Sequence, residues 1–161
     1  MRKATVMALD VVSFSKLMGE NPEVTLETLS ARRKIIHDMI FDHKGRVFNE
    51  AGDSIASEFS SSESAAMCAI DIQTEMTRLN LGSSANRKML FRAGVNYGDV
   101  LDSDGNVFGD TVNVAARLEA ASSPEGVYIS DIAYNNLGEE TSANFDYLGP
   151  IALKNISTEV E

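Results

Sequence analysis

Only one cysteine, three prolines and no tryptophan occur in the 161 residues. The single thiol, Cys68, excludes an internal disulfide framework and fits a reducing compartment, so a cytoplasmic protein, or a cytoplasmic domain of a larger one, is expected. Cations are scarce as well: 14 Lys and Arg face 24 Asp and Glu, a formal net charge of −10. That balance argues against nucleic acid or direct contact with an anionic membrane, since both need a clustered positive surface. No apolar run approaches the roughly 18 residues that span a bilayer. The apolar stretch after Met1-Arg-Lys is too short for a secretory signal and runs straight into Asp10. Gly-x-x-x-x-Gly-Lys and Gly-x-Gly-x-x-Gly are both missing, which removes P-loop and Rossmann readings.

What is present is a globular composition, 43% hydrophobic and 24% charged, in a chain long enough for one core. Residues 3–12 form an apolar, β-leaning run. Asn21-Pro-Glu opens a long helix to about His43, and Gly45 stops it. Arg46–Asn49 and Ile55–Phe59 flank Glu50-Ala-Gly-Asp53 as a hairpin. Ser62 to Leu79 predicts a second long helix, Met89 to Asp99 a strand, and Asp102-Ser-Asp-Gly105 a turn. Asp110 to Ala121 is a shorter helix. Gly126–Ser130 is a strand, Ile132–Leu137 a short helix, and Phe145–Leu148 a last strand. The leading order is β-α-α-β-β-α-β, which predicts an α+β fold with a ferredoxin-like antiparallel sheet flanked by helices. In that topology the first and third strands are antiparallel neighbours. Asp10, at the end of one, then meets Asp53, just before the other.

Two close carboxylates repel unless a proton or a cation lies between them. Hard oxygen ligands of this kind suit Mg²⁺ or Mn²⁺ together with substrate phosphates, and a pair of such ions serves in-line phosphoryl chemistry. Spacing alone also allows Asp53 to be only a turn residue and Asp10 an N-cap for Ser13-Phe-Ser-Lys. Asn113 and Arg117, four apart, share one face of the 110–121 helix. An oriented amide beside a cationic fork suits charge developing on a phosphoryl group. On spacing alone, a solvated polar stripe opposite Val112, Val114, Ala115 and Leu118 is the readier explanation of the pair. His37 and His43, six apart, are on different faces, and nothing near Cys68 would activate it.

Taken together, Leu9-Asp10-Val-Val-Ser-Phe-Ser15, Gly52-Asp53-Ser, Phe91-Arg-Ala-Gly-Val-Asn-Tyr-Gly98 and Val107-Phe-Gly-Asp-Thr-Val-Asn-Val-Ala-Ala-Arg-Leu-Glu119 resemble the class III adenylyl/guanylyl cyclase catalytic domain of bacterial type. The resemblance covers nearly the whole chain, and the last block is its most specific part. It implies the class III nucleotidyl cyclase fold and conversion of ATP to 3′,5′-cyclic AMP and pyrophosphate. Two ions, Mg²⁺ or Mn²⁺, would be held by Asp10, Asp53 and the Val11 main-chain carbonyl. Amides of Ser13, Phe14 and Ser15 would hold phosphates, Asn113 would orient the ribose, Arg117 would stabilise the transition state, and Lys154 would contact the terminal phosphates. Relatives work as antiparallel head-to-tail dimers, so a homodimer with two shared sites is implied.

Departures from the family pattern matter too. Asn49 and Asn106 stand where ATP-using relatives often have Lys and Asp, and neither is the Glu of guanylyl forms. An amide both donates and accepts, so it pairs with either purine. ATP remains the expected substrate and GTP the alternative. Asp99 lies where some members have a phosphate-binding Arg. The chain stops at Ser157–Glu161, where relatives continue into another strand; the expectation is one domain, 1–161, excised from a longer protein with a fused regulatory domain. A non-catalytic nucleotide-binding or dimerisation module with the same fold is the alternative from another class.

Overall fold

A computed structural model describes residues 1–148, 151–152 and 159–160 of the chain. Strand β1 (Arg2–Val11) leads into a short helix α1 (Phe14–Glu20) and a long helix α2 (Pro22–Asp42). Asn21 caps α2, its side-chain oxygen accepting from the Val24 amide, with Pro22 at the first helical position where its missing N–H costs nothing. Strands β2 (Arg46–Ala51) and β3 (Ser54–Phe59) follow, then helix α3 (Ser62–Leu81) and β4 (Phe91–Ser103). The predicted order is therefore observed. β5 (Asn106–Phe108), α4 (Asp110–Ala121), β6 (Val127–Ile129), α5 (Asp131–Tyr134) and α6 (Glu139–Ser142) complete the domain, and β7 (Ile151–Ala152) pairs with β8 (Glu159–Val160).

The main sheet runs β2-β3-β1-β4-β5, with β6 parallel to β4. β1 lies antiparallel between β3 and β4, pairing Leu9 with Ile55 and Asp10 with Arg92. Alternation along the strands then sorts the side chains onto two faces. Met7, Leu9, Val11, Ile55, Phe59, Phe91, Ala93 and Val95 pack against α2 and α3 in one large core. Each fully buried large apolar side chain there contributes about 1.5–3 kcal/mol. Ala4, Val6, Ala8 and Val100 face the other way and meet Ala115 of α4 and Val107 of β5.

Two glycines let α4 lie close on that second face. A Cβ at Gly94 would sit 2.3 Å from the Ala115 carbonyl oxygen and 2.4 Å from the Glu119 nitrogen; one at Gly98 would sit 2.6 Å from the Thr111 hydroxyl. Thr111, Ala115 and Glu119, each four residues apart, are thus the helix stripe against β4. Thr111 Oγ1 donates to the Asp99 carbonyl (2.7 Å), and Asn96 Nδ2 donates to the Thr111 carbonyl (3.2 Å).

The expected strand at Phe145–Leu148 is not formed. The Phe145 amide donates to the Ser142 carbonyl (3.0 Å), and its ring packs edge-on against Tyr134 and onto the core. Turn bonding to Ser142 and aromatic packing on Tyr134 hold Phe145 here. The Asp104-Gly105 turn is observed as expected, with both residues at positive φ (51° and 82°), closing a β4–β5 hairpin.

Candidate active site

Asp10 ends β1, and Asp53 is the second residue of the two-residue turn joining β2 to β3, after Gly52 at φ 59°. The structure brings them together as the strand order requires. Asp53 Oδ2 accepts a hydrogen bond from the Val11 amide (2.9 Å), which pins the turn to the end of β1. Arg33 of α2 supports the turn from behind, its Nη2 donating to the Gly52 carbonyl (2.5 Å) with Glu50 3.8 Å from its Nε. His37, one helical turn on, contacts Glu50 as well. His43 instead ties α2 to α3, with Nδ1 against the Met39 carbonyl and Nε2 3.0 Å from Asp71. Cys68 is fully buried, and burial pushes its thiol up to about 12, so it stays a thiol.

Asp10 is half-buried and its Oδ1 has no hydrogen-bond donor among the described residues. Beside it lie two groups that the sequence did not single out. Arg92 is its cross-strand partner on β4. Glu119, 6% exposed, reaches it from α4, with its own Oε2 also lacking a donor. Burial raises the Asp10 carboxyl above its ordinary range; the hydrogen bond with Glu119 pulls it down, the Asp53 charge adds to the rise, and Arg92 opposes it. Glu119 is pushed up to about 9, first by burial, then by the Asp10 charge and the hydrogen bond with it, against the pull of Arg92. The two carboxyls therefore hold a proton between them more tightly than either would alone. Arg92 and Glu119 both fall inside the sequence blocks quoted above, but their neighbourhood depends on strand register and on the closeness allowed by Gly94.

A buried carboxylate oxygen without a donor, next to a second carboxylate, is suited to a hard divalent cation. The described residues contain no cluster of three or more His, Cys, Asp or Glu able to enclose a metal unaided. Two carboxylates completed by substrate phosphates is the arrangement such ions commonly use. The residues present fit Mg²⁺ or Mn²⁺ bound together with a polyphosphate.

Asn113 and Arg117 lie on the opposite side of α4 from Thr111, Ala115 and Glu119, since two residues along a helix turn a side chain by about 200°. Asn113 is exposed and Arg117 half-buried, and neither has a side-chain hydrogen bond or ion pair among the described residues. Asp10 of the same chain is therefore not what Arg117 faces. Ser13, the N-cap of α1, is exposed with φ 57° and ψ 40° and no side-chain cap; Phe14 and Ser15 open the helix. Asp10 does not cap this helix. Asn49 is exposed on β2 beside a register shift. Asn106 opens β5, its Oδ1 accepting from the Val107 amide (2.8 Å). Asp99 pairs with Lys3 (2.9 Å). Lys154 lies outside the described residues.

Comparison with known proteins shows the family and the fold. The family described as the adenylate and guanylate cyclase catalytic domain matches residues 1–160, and the chain belongs to that family. A putative adenylate cyclase 3 from Rhizobium meliloti is 38% identical over 160 residues, covering 99% of this chain and 27% of the relative. The chain thus spans about a quarter of that relative's length. A solved adenylate/guanylate cyclase/hydrolase from Silicibacter pomeroyi superposes with a TM-score of 0.90 at 33% identity, covering 99% of this chain and 93% of the other. An adenylate cyclase from Trypanosoma brucei, described in its monomeric state, shares the fold at a TM-score of 0.87 and 20% identity, covering 98% and 87%. Domains of this family bind nucleotides, generally use divalent metal ions and often dimerise. No helix among the described residues is long and apolar enough to cross a membrane.

Proposed function

We propose that the chain is the catalytic domain of a longer adenylate cyclase and converts ATP to 3′,5′-cyclic AMP and pyrophosphate. The ribose 3′-oxygen attacks the α-phosphorus, the bond to the β-phosphate oxygen breaks, and the 3′-hydroxyl proton passes to solvent. Asp10, Asp53 and the Val11 carbonyl hold two Mg²⁺ or Mn²⁺ ions. When bound, these ions make the 3′-hydroxyl more acidic and neutralise charge on the leaving pyrophosphate. The amides of Ser13, Phe14 and Ser15 receive phosphate oxygens. Asn113 orients the ribose, Arg117 meets charge that grows on the phosphoryl oxygens, and Lys154 holds the terminal phosphates.

The observation that carries this reading is the arrangement of α4. It turns Glu119 to Asp10 and Arg117 away from it. The aspartates and the Asn113–Arg117 pair of one chain then serve different sites, each completed by a second chain in an antiparallel head-to-tail homodimer. An input domain fused to this one would act by changing how the two chains face each other.

Asn49 and Asn106 contact the purine. Asn106 Oδ1 already accepts from the Val107 amide, which leaves its NH₂ donors as the freer end for a base. Adenine N1 accepts at the position where guanine N1–H donates, so this favours ATP over GTP. The Asp99–Lys3 pair favours a second reading, nucleotide binding without turnover, because a place that carries a phosphate-binding Arg in some relatives here carries no free cation. Purified protein assayed side by side with Mn-ATP and Mn-GTP separates the readings. Cyclic AMP in excess over cyclic GMP is expected; ATP binding without any cyclic product favours the second.

A further inference from the structure

The β4–β5 hairpin does not extend the sheet sideways as a flat edge. Val107 is 2% exposed because it turns down onto Ala4, Val6, Ala8 and Val100, with Phe48 of β2 packed against the same cluster. β5 therefore crosses the second face of the sheet and approaches β2, the far edge strand. This brings the strand of Asn106 towards the strand of Asn49.

The tip of this arm is held by charge. Arg46, on β2, pairs across the ladder with Glu58 of β3, to which it donates from Nε (3.1 Å) and, at still shorter range, from Nη2. Its remaining Nη1 donates to the Gly105 carbonyl at the turn of the arm (2.9 Å). Arg2 of β1 binds the other oxygen of Glu58 (2.7 Å) and forks onto Asp102, on the β4 side of the turn, at 2.7 and 2.8 Å. Glu58, with an 11% exposed side chain, thus joins two guanidinium groups, each of which grips one side of the hairpin. The Asp102 and Glu58 contacts raise the Arg2 guanidinium well above its ordinary range.

We infer that this four-residue clasp, with Arg46 at the end that meets the turn, is a positioning device for purine selection. The inference rests on the reading of Asn49 and Asn106 as purine contacts. Arg46 is three residues before Asn49 on β2, and it bonds the carbonyl immediately before Asn106. One side chain thus ties together the two strands that would grip the base. Val107 anchors the body of the arm, whereas the clasp fixes its tip, where Asn106 begins the return strand. The Arg46 side chain is 49% exposed and Glu58 keeps Arg2 as a partner when Arg46 is removed, so little folding stability rests on Arg46 itself. Loss of Arg46 should therefore alter the fit of the base more than the stability of the domain.

The test measures kcat and KM for ATP and GTP in the full chain, comparing the unaltered protein with Arg46→Ala and Arg46→Lys. Arg46→Ala should raise KM for ATP about tenfold while kcat changes by less than about threefold, and should contract the ATP-to-GTP preference in kcat/KM by about fivefold or more. Arg46→Lys, which keeps a donor but loses the fork, should fall between. A folded Arg46→Ala chain with an unchanged preference and KM overturns the inference and leaves the cyclase reading intact. If the unaltered chain cyclises neither nucleotide, the cyclase reading fails. Calorimetric affinities for a non-hydrolysable ATP analogue and its GTP counterpart then decide: equal values in both chains overturn the clasp, and selective loss for ATP supports it. Should Arg46→Ala not fold, Asp102→Asn releases the arm from its other side and carries the same expected changes.

Discussion

The Val11 amide donates to Asp53 Oδ2 at 2.9 Å, so the residue after Asp10 holds the second carboxylate of the site. This bond uses one oxygen of Asp53 and keeps its carboxylate near enough to Asp10 for the two charges to act on each other. It gives the two charges a fixed spacing before any cation arrives, which is preorganisation in the usual sense.

Asp53→Asn keeps an oxygen that can accept from Val11 while removing the charge. The expected outcome is a melting temperature within a few degrees of the unaltered chain, together with loss of Mn²⁺ binding and of cyclic AMP formation. Mn²⁺ binding by electron paramagnetic resonance with a non-cyclisable ATP analogue present, and a thermal melt, check both halves. Retention of tight Mn²⁺ binding would remove Asp53 from the metal site.

The carboxyl pair of Asp10 and Glu119 makes a prediction about pH. The folded chain holds the Glu119 proton to about 9, whereas an unfolded glutamic acid releases it near its ordinary value. The folded state therefore binds more protons between those limits, and stability must fall as pH rises through that window. Metal-free protein should melt at lower temperature at pH 8.5 than at about pH 5.5, and Glu119→Gln should flatten this slope by removing the titrating group. An unchanged slope in Glu119→Gln would place the titrating group elsewhere.

How closely α4 lies on the sheet can be tested through Gly94. A methyl there would meet the Ala115 carbonyl and the Glu119 nitrogen, which are backbone atoms and cannot rotate aside. Gly94→Ala should cost about 1–3 kcal/mol, as overpacking typically does, and should lift Glu119 from Asp10. Urea unfolding measures the cost. A loss below about 0.5 kcal/mol would mean that the helix stands further off than the structure has it.

The contrast between Asp53 and Glu119 shows what was legible in the sequence. The Gly-Asp turn, the long amphipathic helices and the order of elements fix which strands are neighbours, and the meeting of Asp10 with Asp53 follows from that alone. Glu119 and Arg92 are different. Their place beside Asp10 depends on the register between β1 and β4 and on the glycine gap under α4, both tertiary quantities that no local pattern encodes. β5 was invisible for a related reason. Three residues carry no periodicity, and its path is set by Val107 packing on alanines from β1. The apolar spacing of Phe145–Leu148 suggested a strand because an aromatic that packs on a core looks the same in sequence whether or not its backbone joins a ladder. Asn49 and Asn106, the proposed purine contacts, could be named only through the family resemblance, and the proposed clasp between their strands draws on four separated positions.

The central claim is that one chain carries halves of two different sites. It is tested most directly by mixing two inactive chains, Asp53→Ala and Arg117→Ala, and measuring cyclic AMP formed from Mn-ATP. A mixed dimer has one site with both lesions and one with neither. Random pairing should then restore about a quarter of the unaltered activity, since half the dimers are mixed and each has one sound site. Activity that stays at the level of the separate variants, in a mixture shown by sedimentation to contain dimers, would contradict the account.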